Sequence, residues 1–304
     1  MSPADALAGA GRTPGIVVTG ATGAVGRHVA RLLATPGRTA PTLLVRDPDK
    51  AASLRLPGTV AEGDYADGDR LRRALDGAGA VFVVTANPLR PEDDENLLAA
   101  ARATGVRHAV KLSWLGVADP GADDLVATWN RRAEDLWRAS GLSWTVLRIR
   151  TPMSNALAWA SSIREHGVVR ALGGAARTAC VDPRDVAEAA VRALTEPDRH
   201  ASATYALTGP QDLSAREQTA VLSEVLGRRL EFEDLTAEEA RAGWVRRYGE
   251  PIADALLAGA RRRGGGTTGP AGSAGRVDDT LATLIGRPPT TFAAWAADHA
   301  ALFA

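Results

Sequence analysis

Gly15-Ile-Val-Val-Thr-Gly-Ala-Thr-Gly-Ala-Val-Gly26 decides how this chain is read. Its first half carries Ile16-Val17-Val18, a β-branched run of the kind that fills a buried strand. Its second half spaces Gly20, Gly23 and Gly26 as G-x-x-G-x-x-G, and Val25, Val29, Leu32 and Leu33 follow at helical spacing. A strand running through a glycine turn into a helix separates a dinucleotide-binding turn from an ordinary loop. Gly20 permits the tight turn, Gly23 lets backbone approach a pyrophosphate, and Gly26 lets the helix pack on the sheet. The unpaired N–H groups of the helix start then face the phosphates. Gly20, Thr22, Gly23, Ala24, Val25 and Gly26 are the first candidate cofactor contacts.

Strand and helix patterns alternate downstream. Residues 41–45, 60–64, 81–85, 106–112 and 144–148 read as strands, with helices at 48–54, 67–76, 92–104 and 124–140 between them. Strands spaced by helices give a parallel sheet covered on both faces, a doubly wound α/β fold. Past Thr151 the pattern loosens. Helices are expected at 154–165, 185–195, 214–226 and through 236–262, with short strands at 179–182, 204–207 and 229–234. A glycine-heavy mobile loop at 264–275 precedes a helix at 277–285 and a last helix with Phe292, Trp295 and Phe303. The expected organisation is a flexible tail at 1–14, a dinucleotide-binding domain at 15–152 and a smaller α+β substrate lobe at 153–304. That lobe interleaves with the end of the sheet, over the strand ends where ligands bind.

Composition narrows the function classes. The 36 basic and 36 acidic residues cancel, which argues against a nucleic-acid or anionic-membrane partner. Cys180 is the only cysteine, so there is no internal disulfide and a reducing cytoplasm is the expected location. No apolar run reaches membrane-spanning length, and 1–14 lacks the pattern of a secretory leader. His28, His108, His166, His200 and His299 show no paired metal-binding spacing, so no metal site is expected. A monomer or homodimer acting on a small molecule is the expected form.

Six further stretches carry a resemblance. Thr19-Gly-Ala-Thr-Gly-Ala-Val-Gly26, Val45-Arg-Asp-Pro-Asp-Lys50, Gly63-Asp-Tyr-Ala-Asp67, Val181-Asp-Pro-Arg-Asp-Val-Ala187, Leu207-Thr-Gly-Pro210 and Gly286-Arg-Pro-Pro-Thr-Thr-Phe292 occur in order. Together they resemble the NmrA-like branch of the short-chain dehydrogenase/reductase superfamily, over nearly the whole chain from Ile16 onward. The resemblance implies a Rossmann-type doubly wound sheet and a nicotinamide cofactor. That family holds reductases of quinones, enones, ketones and phenolic ethers, and also nucleotide-sensing regulators without catalysis, so membership speaks to fold and cofactor before reaction.

The end of the second strand selects the cofactor. An acidic residue there bonds the adenosine ribose, whereas a basic one suits a 2′-phosphate. Arg46 stands at that position with Lys50 one helical turn on, which predicts NADPH; Asp47 beside it is the case for NAD. By position in the fold, Asp64 and Tyr65 edge the adenine, and Thr85, Ala86 and Asn87 lie along the ribose and pyrophosphate. Arg150, Thr151 and Pro152 flank the nicotinamide.

Catalysis is harder to assign. Hydride transfer to a carbonyl leaves an alkoxide that must be stabilised and protonated. The superfamily's usual serine is matched by Ser113, but none of Tyr65, Tyr205 and Tyr248 is followed by lysine four residues later. In the NmrA-like branch a lysine or histidine often precedes a glutamate by four positions; here Asn130 and Glu134 occupy those places, and Glu134 reads as a helix-surface or salt-bridge residue. Asparagine orients an oxygen but delivers no proton at neutral pH. Three accounts stand: Ser113 with Asn130 polarises the substrate while water supplies the proton; the substrate brings its own acidic hydroxyl; or the protein binds cofactor without chemistry. Trp114, Trp129, Met153, Trp159 and Trp244 are candidate walls for a flat aromatic substrate, while Trp137, Trp144 and Trp295 have core spacing. The reading expected from these features is an NADPH-dependent reductase of a ketone or quinone carbonyl on an aromatic, polyketide-type substrate. It is similar in character to the tailoring ketoreductases of actinobacterial antibiotic pathways, and a non-catalytic NADP(H) sensor is the rival.

Overall fold

Seven parallel strands build the central sheet. β1 (Gly15–Thr19), β2 (Thr42–Val45), β3 (Thr59–Glu62), β4 (Ala78–Val83), β5 (His108–Trp114) and β6 (Ser143–Ile149) alternate with α1 (Gly26–Leu33), α2 (Pro48–Ser53), α3 (Gly68–Leu75), α4 (Glu92–Ala103) and α5 (Leu125–Arg138). The chain then leaves the sheet through a 3-10 turn (Met153–Trp159), α6 (Ala160–His166), β7 (Val168–Ala171) and β8 (Arg177–Thr178). It returns through α7 (Pro183–Thr195) and α8 (Pro197–His200) to β9 (Ala203–Leu207). β10 (Leu213–Ser214), α9 (Ala215–Leu226), β11 (Glu231–Asp234), α10 (Ala237–Tyr248), α11 (Glu250–Gly264), α12 (Thr280–Ile285) and α13 (Phe292–Asp298) follow. The computed structural model describes residues 15–35, 40–264 and 277–304; the expected tail at 1–14 and the glycine-heavy loop from 265 lie outside them.

The strand order is β3-β2-β1-β4-β5-β6-β9, reversing direction between β1 and β4. That switch point opens the crevice, at the carboxyl ends of the strands, in which such sheets bind ligands. Both faces of β1, β2 and β4 are covered, which is why these strands read as apolar runs. Val18, Phe82, Val110 and Leu147 pack under α1 and α7 with Val29, Leu33, Val186 and Ala190. Val17, Val81, Val83 and Ala109 face α3, α4 and α5 with Leu71, Leu97 and the fully buried Trp137.

The lobe has its own core of Met153, Ile163, Val169, Leu222, Phe292, Trp295 and Phe303. β7 pairs with β11 in parallel and β8 with β10 antiparallel. Three details differ from the sequence expectation. The 154–165 helix splits into the 3-10 turn and α6, residues 179–182 carry a single bridge from Val181 to Pro152 in place of a strand, and β7 adds an unforeseen strand. Among the described residues no helix is long and apolar enough to cross a membrane.

His108 opens β5 at the end of the sheet away from the crevice. It is 2% exposed, with Nδ1 2.9 Å from the Ser143 hydroxyl. Burial lowers its imidazole from 6.5 to about 4. The unfolded chain therefore takes up a proton between those values that the folded chain refuses, so stability falls as pH drops from 6.5 toward 4. At 1.36 kcal/mol per unit the loss approaches about 3 kcal/mol near pH 4 and is about 2 kcal/mol at pH 5. Urea midpoints at pH 7 and pH 5 measure it; His108→Asn shrinks the difference, and an undiminished difference refutes the assignment.

Candidate active site

The glycine turn is built as tightly as backbone allows. Gly20 adopts φ +60°, and a Cβ there would meet Val84 Cβ at 2.9 Å. A Cβ on Gly26 would stand 2.2 Å from the Gly20 carbonyl oxygen, and one on Gly23 would stand 3.1 Å from it. Val25 at the helix N-cap contributes no side-chain hydrogen bond, and the first turn of α1 holds no acidic residue. The Arg27 and His28 N–H groups bond the Gly23 and Val25 carbonyls at 3.3 Å and 2.9 Å, while those of Val25 and Gly26 make no protein hydrogen bond among the described residues and remain for an anionic ligand. The turn fits a dinucleotide's pyrophosphate.

At the end of β2 the ambiguity over Asp47 resolves. Its carboxylate caps α2, accepting the Lys50 backbone N–H at 2.9 Å. Arg46 is exposed beside it. Asp64, after β3, accepts from the Ala66 N–H at 2.9 Å and from Arg90 at 2.8 Å, both on Oδ1. Tyr65 packs against the sheet core and donates its hydroxyl to the Val84 carbonyl at 2.7 Å; burial pushes its phenol up to about 12. Thr85 turns its hydroxyl away from solvent to Asp94, 2.7 Å away, while Ala86 is exposed. Asn87 uses its side-chain oxygen on the Leu89 N–H at 3.0 Å. Thr151 and Pro152 are held by strand-like bonds to Val181.

Two buried polar networks underlie the floor between β5 and α5. In the first, Lys111 on β5 donates to Thr85 at 2.6 Å and pairs with Asp94 at 3.1 Å, both charged side chains 1% exposed. Trp137 donates its indole N–H to Asp94 at 2.7 Å, and the Lys111 ammonium lies 5.7 Å from the Trp129 ring centre. In the second, Ser113 donates to Glu134 at 2.6 Å. Glu134 also receives Arg148 at 2.7 Å and Arg138 at 2.7 Å. Burial by itself would raise the Glu134 carboxyl; the hydrogen bonds from Arg148 and Ser113, with the charges of Arg148 and Arg138, outweigh it and hold the group below the ordinary glutamate range. Glu134 is therefore a fully buried carboxylate anchor: of its two readings, the salt-bridge residue holds and the helix-surface residue does not.

Ser113 and Asn130 share this floor, with the Ser113 hydroxyl donating to the Glu134 carboxylate. Asn130 is buried and spends an amide hydrogen on the Val126 carbonyl at 2.9 Å. Of the candidate walls, Trp114 folds its ring over Gly116, whereas Trp129 and Trp244 are half-buried on α5 and α10. Met153 is buried in the lobe core with Trp159 packed against it. Lys111, Asp94, Arg148 and Arg90 were missed by sequence reasoning. One signal was available: Lys111 is a lone charge within an otherwise apolar strand.

Comparison with known proteins agrees with this geometry. Residues 20–197 match the family model described as NAD(P)H-binding. A relative from Streptomyces griseus, named (4-alkanoyl-5-oxo-2,5-dihydrofuran-3-yl)methyl phosphate reductase, is 48% identical over 95% of this chain and 99% of its own. The crystal structure of the NADPH-dependent quinone oxidoreductase QOR2 from Escherichia coli, complexed with NADPH, superposes with a TM-score of 0.77 at 28% identity, over 94% of this chain and 99% of that one. NmrA, a negative transcriptional regulator solved with NADP, shares the fold at TM-score 0.73 and 18% identity, over 94% of this chain and 95% of its own. The chain belongs to the NAD(P)H-binding family, and it is an NADPH-dependent oxidoreductase.

Proposed function

We propose that this chain reduces an electron-poor, conjugated carbonyl acceptor, either a quinone or an acylated unsaturated lactone. The observation that carries the reading is the fate of the Ser113 proton, which is directed into a carboxylate held ionised by two arginines. No tyrosine–lysine pair stands ready to protonate an alkoxide, and Asn130 delivers no proton. The acceptor must then yield an anion that survives without an enzyme acid. NADPH, when bound, supplies a hydride. In the Streptomyces griseus relative's named substrate, the ring double bond is conjugated with both the lactone carbonyl and the alkanoyl carbonyl. Hydride arriving at the ring carbon bearing the phosphomethyl group sends the π pair onto those two oxygens, and water protonates the shared enolate on carbon. A quinone likewise yields an aromatic hydroquinone anion. An aromatic polyketide ketone flanked by a phenol, the kind met in antibiotic tailoring, brings its own acid and falls in the same class.

In this reading Arg46 and Lys50 take the 2′-phosphate, the Gly20–Gly26 turn takes the pyrophosphate, and Thr85 to Asn87 line the ribose through backbone. Thr151 and Pro152 flank the nicotinamide. Asn130 orients the acceptor oxygen, and Trp114, Trp129 and Trp244 wall the pocket. Cofactor absorbance followed with 1,4-naphthoquinone, an acylated butenolide phosphate and cyclohexanone tests the proposal. Both conjugated acceptors are expected to exceed cyclohexanone in kcat/KM by about 100-fold or more, the contribution a missing general acid withholds from a simple ketone. Equal turnover of cyclohexanone overturns it.

A further inference from the structure

We infer that Arg90 is a positioning residue for the cofactor's adenine, holding Asp64 so that one carboxylate oxygen is left for the exocyclic amine. Asp64 follows β3 and Arg90 follows β4, and the order β3-β2-β1-β4 places the ends of β2 and β1 between them. Three strand spacings amount to about 14 Å. The contact is therefore made by loops that reach toward each other across the ends of β2 and β1, which carry Arg46 and the glycine turn. The pair closes one side of the trough in which the adenosine of a dinucleotide must lie.

The atoms are specific. Arg90 Nη2 donates to Asp64 Oδ1 at 2.8 Å, and the Ala66 N–H donates to the same oxygen at 2.9 Å. Oδ2 has no protein hydrogen bond among the described residues. The same Arg90 Nη2 lies 3.1 Å from an oxygen of Asp93, which is 6% exposed, so this end of the guanidinium is held between two carboxylates. The turn that delivers it is also fixed: the Asn87 side-chain oxygen accepts the Leu89 N–H at 3.0 Å, and its carbonyl accepts the Arg90 N–H at 3.0 Å. The hydrogen bond from Arg90, followed by that from Ala66, keeps the Asp64 carboxyl below its ordinary range. An ionised carboxylate only accepts hydrogen bonds. Oδ2 in that state takes the amine of adenine and repels the ring carbonyl that hypoxanthine presents at the same place.

The inference rests on Asp64 meeting the adenine, and the experiment separates the two. Calorimetric dissociation constants are measured on the full chain for NADPH and for its hypoxanthine analogue. The native protein is expected to prefer NADPH by about tenfold or more, the worth of one charge-assisted hydrogen bond. Arg90→Met brings the ratio close to one, and Arg90→Lys restores part of it. The NADPH-to-NADH ratio, which belongs to Arg46 and Lys50, is unchanged in Arg90→Met. An intact base preference in Arg90→Met, or equal weakening of both cofactors, overturns the positioning role. Asp64→Ala decides the premise: if base preference survives there, Asp64 is not on the adenine and the inference falls with it. If preference is lost in Asp64→Ala yet kept in Arg90→Met, Asp64 stands and Arg90 alone is refuted.

Discussion

Gly26→Ala is expected to lower NADPH affinity by tenfold at the least and to destabilise the fold. The new Cβ would sit 2.2 Å from the Gly20 carbonyl oxygen, a backbone atom with no rotamer to escape through. Either α1 moves off the sheet or the turn opens, and overpacking of this kind costs roughly 2–3 kcal/mol. Both movements carry the helix-start N–H groups away from the phosphates. Each charge-assisted bond lost there is worth about 1.5–3 kcal/mol, which is a factor of ten or more in affinity. Gly15→Ala is the control, because its Cβ would meet neighbours at 3.6 Å and 3.8 Å, ordinary contact distances. Calorimetric titration with NADPH and a urea melt read both effects. Unchanged affinity in Gly26→Ala would mean that the phosphates bind elsewhere.

Glu134→Ala is expected to cost about 3–5 kcal/mol in a urea melt, the penalty for stripping one partner from a buried ionic cluster. The carboxylate is fully buried, and its removal strands the Arg148 guanidinium and the Ser113 hydroxyl, while Arg138 keeps Asp135. Glu134→Gln keeps an acceptor for Ser113 and loses less. Glu134→Leu with Arg148→Met regains much of the loss by replacing charge with packing. The sign with pH follows from the depressed carboxyl: its stabilisation is present above the ordinary value of 4.5 and fades as pH falls below it. A loss under about 1 kcal/mol in Glu134→Ala would match a solvated surface pair and contradict the buried cluster.

The sheet was legible because its signals are local. A strand such as β1 and the helix after it announce themselves within a dozen residues, and the cofactor choice at Arg46 needs only the strand end. The lobe was harder for a physical reason. β7 is four residues long with Arg170 exposed, and its partner β11 lies some sixty residues away, so β7 went unread even though a strand was expected at 229–234. The site's polar floor was hidden differently. Glu92 to Glu95 reads as a solvated acidic helix start, yet Asp94 is 1% exposed because Lys111, Thr85 and Trp137 converge on it from other elements. Ser113 was found by its place in the strand, but the direction of its proton depends on Glu134, twenty-one residues further on.

The lobe's backbone closes on itself, β7 with β11 and β8 with β10, and it meets the sheet along the short seam of Thr151, Pro152 and Val181. Such a seam makes the lobe an exchangeable cartridge. Segments 153–178, 210–264 and 291–304 would have to be swapped together, because Phe292, Trp295 and Phe303 belong to the lobe core and the Leu302 and Phe303 carbonyls accept from Arg164 and Arg228. The splice must carry the ion pair that joins Arg262 of α11 to Asp124 at the start of α5. On the proposed reading, descendants of one cofactor cradle would in this way inherit new acceptors without rebuilding the glycine turn.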